Sequence, residues 1–378
     1  MRIGVDGGCW GNRRGYGRFL REILGALARV DQRNEYVVFL DSSAYEAFRI
    51  EGPFQPVRVE LSSPVSQAAS SEGRRSVGDV LRMTRAVRRE PLDLFFFSTV
   101  YSYFPIAGRL PVVLGIHDTI PERNPKFHFD SWRQAVFWRA KVRLALAQAT
   151  TVLTVSEYSK RCLTSVLKVP GRRIRVLHEA ASPVFRKLDI TPPEESFLLY
   201  VGGFSPHKNL GTLVRSFARL APRWPTVQLL LVGDYESDSF KGVFGELRDE
   251  VARLGLVQRV VFTGYVPDEE LCRLYNRATL VVLPSLEEGF GLPALEAMAC
   301  GTPVIASSGH ALEEVVGDAG VLVDGTDESD LSGAIEQLLG DPERTRRMAE
   351  KALERAAAFS WDRAASDLLG IFEEAKRY

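Results

Sequence analysis

Short apolar runs alternate with amphipathic stretches along the whole chain. A short apolar run bounded by turn residues indicates a buried strand, and apolar positions three or four apart indicate a helix packed on a sheet. Their alternation is typical of βαβ units with parallel strands. The predicted strands are Arg2–Asp6, Tyr36–Leu40, Val57–Leu61, Leu92–Phe97, Val112–Ile116, Thr151–Val155, Phe197–Val201, Val227–Val232, Val260–Thr263, Leu280–Leu283, Pro303–Ala306 and Gly320–Val323.

Helical periodicity fills the intervals between these strands. The predicted helices are Arg18–Val30, Val77–Arg89, Trp132–Gln148, Glu157–Leu167, Leu210–Leu220, Phe244–Leu254, Glu269–Arg277, Pro293–Ala299, Glu328–Leu339 and a stretch over Pro342–Lys376 that breaks near Phe359–Trp361. The segment Leu188–Glu195 has two adjacent prolines and no periodicity, which favours a linker. Because 378 residues fit two domains, the sequence predicts an α/β protein with doubly wound domains over 1–190 and 191–357.

Charge is divided unevenly along the chain, although the formal net charge is zero. Residues 1–190 carry 30 Lys and Arg against 18 Asp and Glu, a net +12, and residues 191–378 carry 18 against 30, a net −12. The acidic half would repel phosphates, so a protein that binds nucleic acid over its whole surface is excluded. A hydrophobic content of 45% excludes a disordered chain.

The sequence also indicates the cellular compartment of the protein. The opening MRIGVDGG predicts a strand and a glycine turn, not a signal peptide. No apolar run approaches the ~18 residues that a membrane-spanning helix needs. The four cysteines form no C-x-x-C pair, which favours a reducing compartment. We expect a cytoplasmic protein, with peripheral contact at the inner face of the cell membrane as a further hypothesis.

The loop before Pro293 has the strongest signal for a binding site. Doubly wound sheets bind ligands beyond the carboxyl ends of their strands, and this glycine-rich loop follows the strand Leu280–Leu283. Pro293 favours a helix start, which suits a phosphate. Glu288 and Glu296 flank that start and are suited to the hydroxyls of a ribose or a pyranose. Alternatively, Glu296 complements the helix dipole and Glu288 is a solvated loop acid.

A second glycine turn follows the strand Phe197–Val201 and leads into a helix. Asn209 is predicted to cap that helix with its side chain. Lys208 places a positive charge beside the helix start, so the two together suit a diphosphate. A lysine at a helix start is, alternatively, an ordinary surface residue.

The first strand is followed by a third glycine-rich segment, which does not fit a dinucleotide fingerprint because Leu20 stands where the third glycine belongs. Gly15 and Gly17 allow close approach of a ligand to the backbone. Arg13 and Arg14 are suited to an anionic acceptor, or they form a solvated turn.

His117 is the fourth candidate. It stands after the strand that begins at Val112, at the edge where a doubly wound sheet binds its ligands. A lone histidine is often structural, but this position favours a functional one. Asp118 either orients His117 or shapes the turn.

These segments together resemble the retaining glycosyltransferases of family 4, which have the GT-B fold of two Rossmann-like domains facing a central cleft. Glu288 and Glu296, with seven residues between them, are similar to the E-x7-E motif of that family. Val201–Asn209 resembles its V-G-x5-K-N element. Gly15–Arg18 resembles its G-x-G-R loop, and His117–Pro121 its H-D-x-x-P element.

The resemblance implies a role for each matching residue. His117 and Glu288 are the implied catalytic residues at the transferred sugar. The implied donor-binding residues are Gly15 and Gly17 near the phosphate, Lys208 at the pyrophosphate, Glu296 at the ribose, Val266 by the base, Ser285, and the backbone of Phe290, Gly291 and Leu292 at the sugar hydroxyls. Arg13 and Arg14 are the implied acceptor contacts, and residues 358–378 form a helix that crosses back to the N-terminal domain.

The implied activity is metal-independent, front-face transfer of a hexose, with mannose favoured, from a nucleotide-diphosphate sugar. The implied acceptor is a glycan, a lipid-linked molecule or another anion. No cofactor and no metal are expected, since the sequence has no convincing D-x-D motif. The alternatives are a nucleotide-sugar epimerase or hydrolase of the same fold, or a non-catalytic sugar-nucleotide-binding subunit. Nucleic acid is not expected as a partner.

A basic helix is predicted within Arg74–Arg89. Arg75, Arg82, Arg85 and Arg89 lie around one side of it. This pattern is compatible with an anionic membrane surface, and equally with an amphipathic helix packed on its own sheet.

Overall fold

The computed structural model of the chain describes residues 1–12, 15–63, 65, 76–190, 196–235 and 243–377. The chain divides into two compact units. Met1–Glu179 and Ser360–Tyr378 make up the N-terminal unit, and Ala180–Phe359 makes up the C-terminal unit. Over the described ranges, no helix is long and apolar enough to cross a bilayer.

The described residues of the N-terminal unit form seven strands, numbered in chain order: β1 (Arg2–Asp6), β2 (Glu35–Asp41), β3 (Phe54–Val59), β4 (Leu94–Phe97), β5 (Val112–Gly115), β6 (Thr151–Thr154) and β7 (Ile174–Val176). They form one parallel sheet in the order β3-β2-β1-β4-β5-β6-β7. Every residue of β4, β5 and β6 is buried, as expected for a parallel sheet whose faces are covered. The helices are α1 (Gly15–Val30), α2 (Ser42–Ala47), α3 (Val77–Arg88), α4 (Ile120–Arg123), α5 (Pro125–His128), α6 (Trp132–Gln148), α7 (Glu157–Val166) and, at the far end of the chain, α15 (Trp361–Lys376).

The C-terminal unit repeats this plan, with six strands in the part of it that the structure describes: β8 (Phe197–Val201), β9 (Gln228–Val232), β10 (Val260–Gly264), β11 (Leu280–Leu283), β12 (Val304–Ser307) and β13 (Val321–Val323). Their order is β10-β9-β8-β11-β12-β13, and all neighbours are parallel. The helices are α8 (Leu210–Leu220), α9 (Phe244–Arg253), α10 (Asp268–Arg277), α11 (Leu292–Ala299), α12 (Ala311–Val316), α13 (Glu328–Gly340) and α14 (Pro342–Ala357).

The strand orders identify the ligand-binding edge of each unit. In both sheets the order reverses beside the first strand of the unit, between β1 and β4 and between β8 and β11. Ligands of open α/β sheets bind outside the carboxyl ends of the strands at such a switch point. The predicted α/β class with two doubly wound domains is confirmed.

The helix α15 belongs to the N-terminal unit, although it is encoded after the whole C-terminal unit. Its Trp361 ring packs edge-on against Phe19 of α1 at 5.9 Å, and Phe372 packs against Phe96 of β4 at 5.5 Å. Ser360 caps the helix, because its hydroxyl accepts from the Arg363 N–H. The predicted break near Phe359–Trp361 lies between α14 and α15.

The first boundary between the units lies before the predicted linker. Within 180–190, Phe185 packs on Tyr275 at 5.6 Å, and the Leu188 N–H donates to Asn276 Oδ1 at 2.7 Å. These contacts join the segment to α10 of the C-terminal unit. Residues 191–195 of the predicted linker lie outside the described ranges.

Candidate functional site

The loop after β11 ends in a helix start that only glycine can form. Gly291 precedes α11 with φ 108°, and a Cβ there would lie 2.2 Å from Leu312 Cδ2. Pro293 stands in the first turn of α11, as predicted. At the other end, Gly301 has φ 74°, and its N–H and that of Thr302 donate to carbonyls of the last turn. The helix dipole therefore directs its positive end at the loop.

Glu288 lies at the centre of a small polar cluster in this loop. Its Oε1 accepts from Lys208 Nζ at 2.7 Å and from Ser285 Oγ at 2.7 Å. Burial disfavours the charged form, but the Lys208 ammonium and the Ser285 hydroxyl outweigh it and lower the pKa of Glu288. Glu288 is therefore a carboxylate at neutral pH. The alternative of a solvated loop acid is wrong.

Asn209 holds the loop after β8 against the loop after β11. Its Nδ2 donates to the Pro284 carbonyl at 3.1 Å and to the Gly325 carbonyl at 2.6 Å. Its backbone is left-handed with φ 57°, and its side chain makes no capping bond to α8. Asn209 does occupy the predicted N-cap position of α8, but the expected bond from its side chain to the helix backbone is absent. The amide instead joins three strand-end loops and so places Lys208 beside Glu288.

Glu296 lies on α11 and is 3% exposed. Its Oε2 accepts from Tyr275 Oη of α10 at 3.0 Å. Val266, the residue assigned to the base, is half-buried in the loop after β10. Ser285, Phe290 and Leu292 are buried. The predicted donor residues of the C-terminal unit thus lie on α11 and in loops at the carboxyl edge of one sheet.

His310 anchors this loop and was not among the predicted residues. Its Nε2 lies 2.8 Å from the Ser285 carbonyl, an acceptor, so Nε2 carries the proton, and Nδ1 accepts from the Leu312 N–H at 3.4 Å. Burial lowers the pKa of His310, which keeps the ring neutral. The signal in the sequence was the small polar run Ser307–Gly309 after a predicted strand.

In the N-terminal unit, His117 follows β5 and is 7% exposed. Its Nε2–H donates to the Ser98 carbonyl at 2.9 Å, and its Nδ1 lies 3.5 Å from Glu179 Oε1. The rings of Tyr16 and Phe19 on α1 pack edge-on against it at 5.1 Å and 4.7 Å. The Ser98 carbonyl therefore fixes the orientation of the imidazole through Nε2, and the Glu179 carboxylate lies beside Nδ1. Glu179 is a contact that the sequence did not reveal.

Asp118 shapes the turn that follows His117. Its Oδ1 accepts from the Ile120 N–H at 2.9 Å, and its Oδ2 accepts from Tyr16 Oη at 3.0 Å. Burial raises the pKa of Tyr16 well above its usual value, so that hydroxyl is a neutral donor. Of the two predicted roles of Asp118, the turn is the one that these contacts support.

A further buried acid, Glu122, follows in α4. Burial raises its pKa to about 7, although Trp138 Nε1 of α6 donates to its Oε1 at 2.6 Å. The charge of Glu122 therefore changes near neutral pH. Glu122 was not among the predicted residues, because its contact with Trp138, 16 residues away, forms only in the fold.

The two glycines in the first turn of α1 have unequal roles. A Cβ on Gly17 would lie 1.9 Å from the Asn12 carbonyl oxygen and 2.8 Å from that of Cys9, so the chain itself requires glycine there. A Cβ on Gly15 would meet nothing within 4 Å. Arg13 and Arg14, the predicted acceptor contacts, lie outside the described residues.

Two family models cover most of the chain. The model described as glycosyl transferases group 1 matches residues 185–355, and the model described as Glycosyltransferase Family 4 matches residues 13–182. An O-antigen chain mannosyltransferase B of Escherichia coli is 32% identical over 270 residues, which are 68% of this chain and 67% of that protein.

Two further comparisons differ in their identity and in how much of the chain they cover. A D-inositol 3-phosphate glycosyltransferase of Nocardia farcinica is 38% identical over 187 residues, 48% of this chain and 41% of that protein, so the chain spans about two fifths of its length. The structure of a sucrose-phosphate synthase from Thermosynechococcus elongatus superposes with a TM-score of 0.80 at 22% identity, covering 99% of this chain and 98% of that one. That likeness shows the GT-B fold.

Proposed function

The chain belongs to glycosyltransferase family 4, and on this premise we propose that it is a retaining hexosyltransferase with a nucleoside-diphosphate sugar as donor. We favour mannose as the sugar because the O-antigen relative is a mannosyltransferase by name. The acceptor is a glycan, lipid-linked or otherwise anionic. The observation that carries the proposal is the contact of Lys208 with Glu288 at the switch point of the C-terminal sheet.

That contact supports separate roles for the two residues in binding the donor. In a nucleoside-diphosphate sugar, the terminal phosphate is bonded directly to the sugar carbon. A cation and a carboxylate one hydrogen bond apart therefore fit neighbouring parts of one ligand, with Lys208 at the diphosphate and Glu288 at the sugar. The start of α11 adds partial positive charge for the phosphates. Phe290, Gly291 and Leu292 offer backbone groups to the sugar, Glu296 binds the ribose, and Val266 contacts the base.

Catalysis then rests on stabilising the leaving group. The bond between the anomeric carbon and the phosphate oxygen breaks, and a bond from that carbon to the acceptor oxygen forms on the same face. The proton of the acceptor hydroxyl passes to the departing diphosphate. Lys208 stabilises the developing charge electrostatically, so the step needs neither a protein nucleophile nor a metal. His117, oriented by Ser98 and Glu179, supports the transferred sugar.

The first test is the choice of nucleotide. Purified protein is melted with GDP, UDP and ADP, and we expect one of them to raise the melting temperature. The matching donor is then incubated with octyl mannoside as acceptor, and an α-linked product from the α-linked donor shows retention by NMR. Epimerised or free sugar from donor alone would replace the proposal with an epimerase or a hydrolase. Nucleotide binding without any turnover would leave a non-catalytic subunit.

A further inference from the structure

The helix α6 presents a band of apolar side chains to solvent. Trp132 is 72% exposed, Phe137 69%, and Val136 and Leu144 51% each. They are four of the 13 large apolar side chains that are exposed within the described ranges. Single exposed apolar residues are ordinary, but a group on one helix marks an interaction surface.

These side chains lie on one side of the helix. At 100° per residue, Trp132, Val136, Phe137 and Leu144 fall within an arc of about 140°, and the band is about 18 Å long. The opposite side carries Trp138, Val142 and Ala145, which are buried against the unit. The helix is thus apolar on both sides, but only one side packs against the rest of the unit. We call the exposed side the α6 band.

Charge indicates the partner of the α6 band. Arg133, Arg139 and Arg143 are exposed on the same side, and the sequence of α6 contains no Asp or Glu. The Arg133 guanidinium lies 5.6 Å from the centre of the Trp132 ring. Two copies of the band in a symmetric dimer would bring arginines together with no acid from α6 itself to pair them. An anionic bilayer surface accepts apolar side chains and arginines at once.

We propose that the α6 band docks the N-terminal unit on an anionic lipid surface, with Trp132 and Phe137 inserted at the level of the headgroups. The interface between water and lipid is where an aromatic side chain with an adjacent cation is most favourable. This proposal rests on the proposed function, since a lipid-linked acceptor would be met at that surface.

The predicted basic helix is less suited to this role. The helix α3 forms most of the described part of the segment Arg74–Arg89. It packs against the unit with three buried residues, Asp79, Met83 and Val87. Val77 and Leu81 are its exposed large apolar residues, and no aromatic residue accompanies them. Its packing matches the alternative of an amphipathic helix on its own sheet.

Buried contacts connect α6 with the His117 region of the same unit. Besides the bond from Trp138 to Glu122, Lys141 Nζ donates to the Tyr101 carbonyl at 2.6 Å. The Tyr101 ring packs on Tyr16 at 4.8 Å, and Tyr16 packs on His117. The buried side of α6 is thus connected through Tyr101 and Tyr16 to His117, the residue assigned to the transferred sugar.

The test measures binding of the full chain to vesicles by sedimentation. One set contains phosphatidylcholine with phosphatidylglycerol, and the other contains phosphatidylcholine alone. The α6 variants are Trp132→Ser/Phe137→Ser and Arg139→Gln/Arg143→Gln. Val77→Ser/Leu81→Ser tests the α3 helix. Two controls, Val257→Ser and Arg346→Gln/Arg347→Gln, remove an exposed apolar residue and two exposed arginines from the C-terminal unit.

We expect binding to anionic vesicles with little binding to neutral ones. Each arginine removed should weaken partitioning by about fivefold, and loss of both aromatic residues should weaken it by about tenfold or more. The α3 and C-terminal variants should bind as the parent does. Because all the altered side chains are exposed, melting temperatures should stay unchanged, which separates loss of docking from loss of folding.

Several results would overturn the proposal. Equal binding of the α6 variants and the parent would do so, as would loss of binding in the α3 variant alone. A dimer of the parent that Trp132→Ser/Phe137→Ser converts to a monomer, without vesicle binding, would assign the band to a second copy. If a nucleotide raises the melting temperature but the protein does not bind vesicles, the docking proposal is wrong and the proposed function stands. If the protein binds vesicles but no nucleotide raises its melting temperature, the proposed function is wrong and the docking proposal stands.

Discussion

Lys208 Nζ and Glu288 Oε1 lie 2.7 Å apart, although the residues are 80 positions apart in the chain. Their side chains are only 18% and 15% exposed, so water screens the pair weakly. A buried charge without its partner costs far more than the pair contributes when intact. The contact therefore bears on the stability of the C-terminal unit as well as on the donor.

The first prediction concerns that stability. Lys208→Met should lower the free energy of unfolding by about 1–3 kcal/mol, because it leaves the Glu288 carboxylate without its cation. Lys208→Met/Glu288→Gln should recover part of the loss, measured by urea unfolding at pH 7. The folded-state pKa of Glu288 is lowered, so its stabilisation is present above the unfolded value and is lost as the pH falls through the folded one. The cost of Lys208→Met should therefore shrink in acid, and a double variant as unstable as the single one would contradict this account.

The second prediction concerns His117 and its support. His117→Ala should lower kcat by about 100-fold, since it removes a group at the transferred sugar. Glu179→Gln should lower kcat by about tenfold with KM unchanged, because it weakens only the orientation of the ring. The nucleotide-induced shift of the melting temperature serves as the control and should persist in both variants. If Glu179→Gln keeps the full kcat, Glu179 has only a packing role.

The third prediction concerns how the protonation of Glu122 makes stability depend on pH. Its folded pKa of about 7 lies above the unfolded value of 4.5, so the folded state holds the extra proton between these values. Stability should therefore fall as the pH rises from about 5 to about 8. Glu122→Gln mimics the protonated acid and keeps an acceptor for Trp138, so its melting temperature should depend less on pH than that of the parent. Parallel pH curves for the two proteins would show that Glu122 is ionised at neutral pH.

The fourth prediction compares two glycines of one turn. Gly17→Ala should destabilise the N-terminal unit by about 2 kcal/mol or more, because the Cβ would meet the Asn12 carbonyl oxygen. Gly15→Ala has open space and should leave the melting temperature unchanged. If Gly15→Ala melts as the parent does but loses transfer activity, a ligand approaches the backbone at Gly15. Full activity in that variant would remove Gly15 from the donor site.

The regular elements were predictable because their patterns are local. Trp132–Gln148, Leu210–Leu220 and Leu280–Leu283 were predicted to the residue, since the residues that form and bound each of them are adjacent in the chain. The strand β7 was missed because its Arg175 interrupts an apolar run that is only three residues long.

The loops that form the site were predictable from the sequence, but the contacts between their side chains were not. Glu288 and Lys208 were identified by their places after strands, whereas their hydrogen bond depends on two loops that meet only in the fold. The left-handed backbone of Asn209, the anchor His310 and the support from Glu179 depend on side-chain packing in the same way. No spacing along the chain encodes these contacts.

The position of α15 has a consequence for biosynthesis. A ribosome makes nearly all of the N-terminal unit first, yet the helix that covers Phe19 and Phe96 emerges only after the whole C-terminal unit. Until then, an apolar face of α1 and the central sheet stays uncovered. The C-terminal unit, which is continuous in the chain, is therefore able to complete its fold before the unit that began earlier. A chain cut after Phe359 would lack the element that closes its first core.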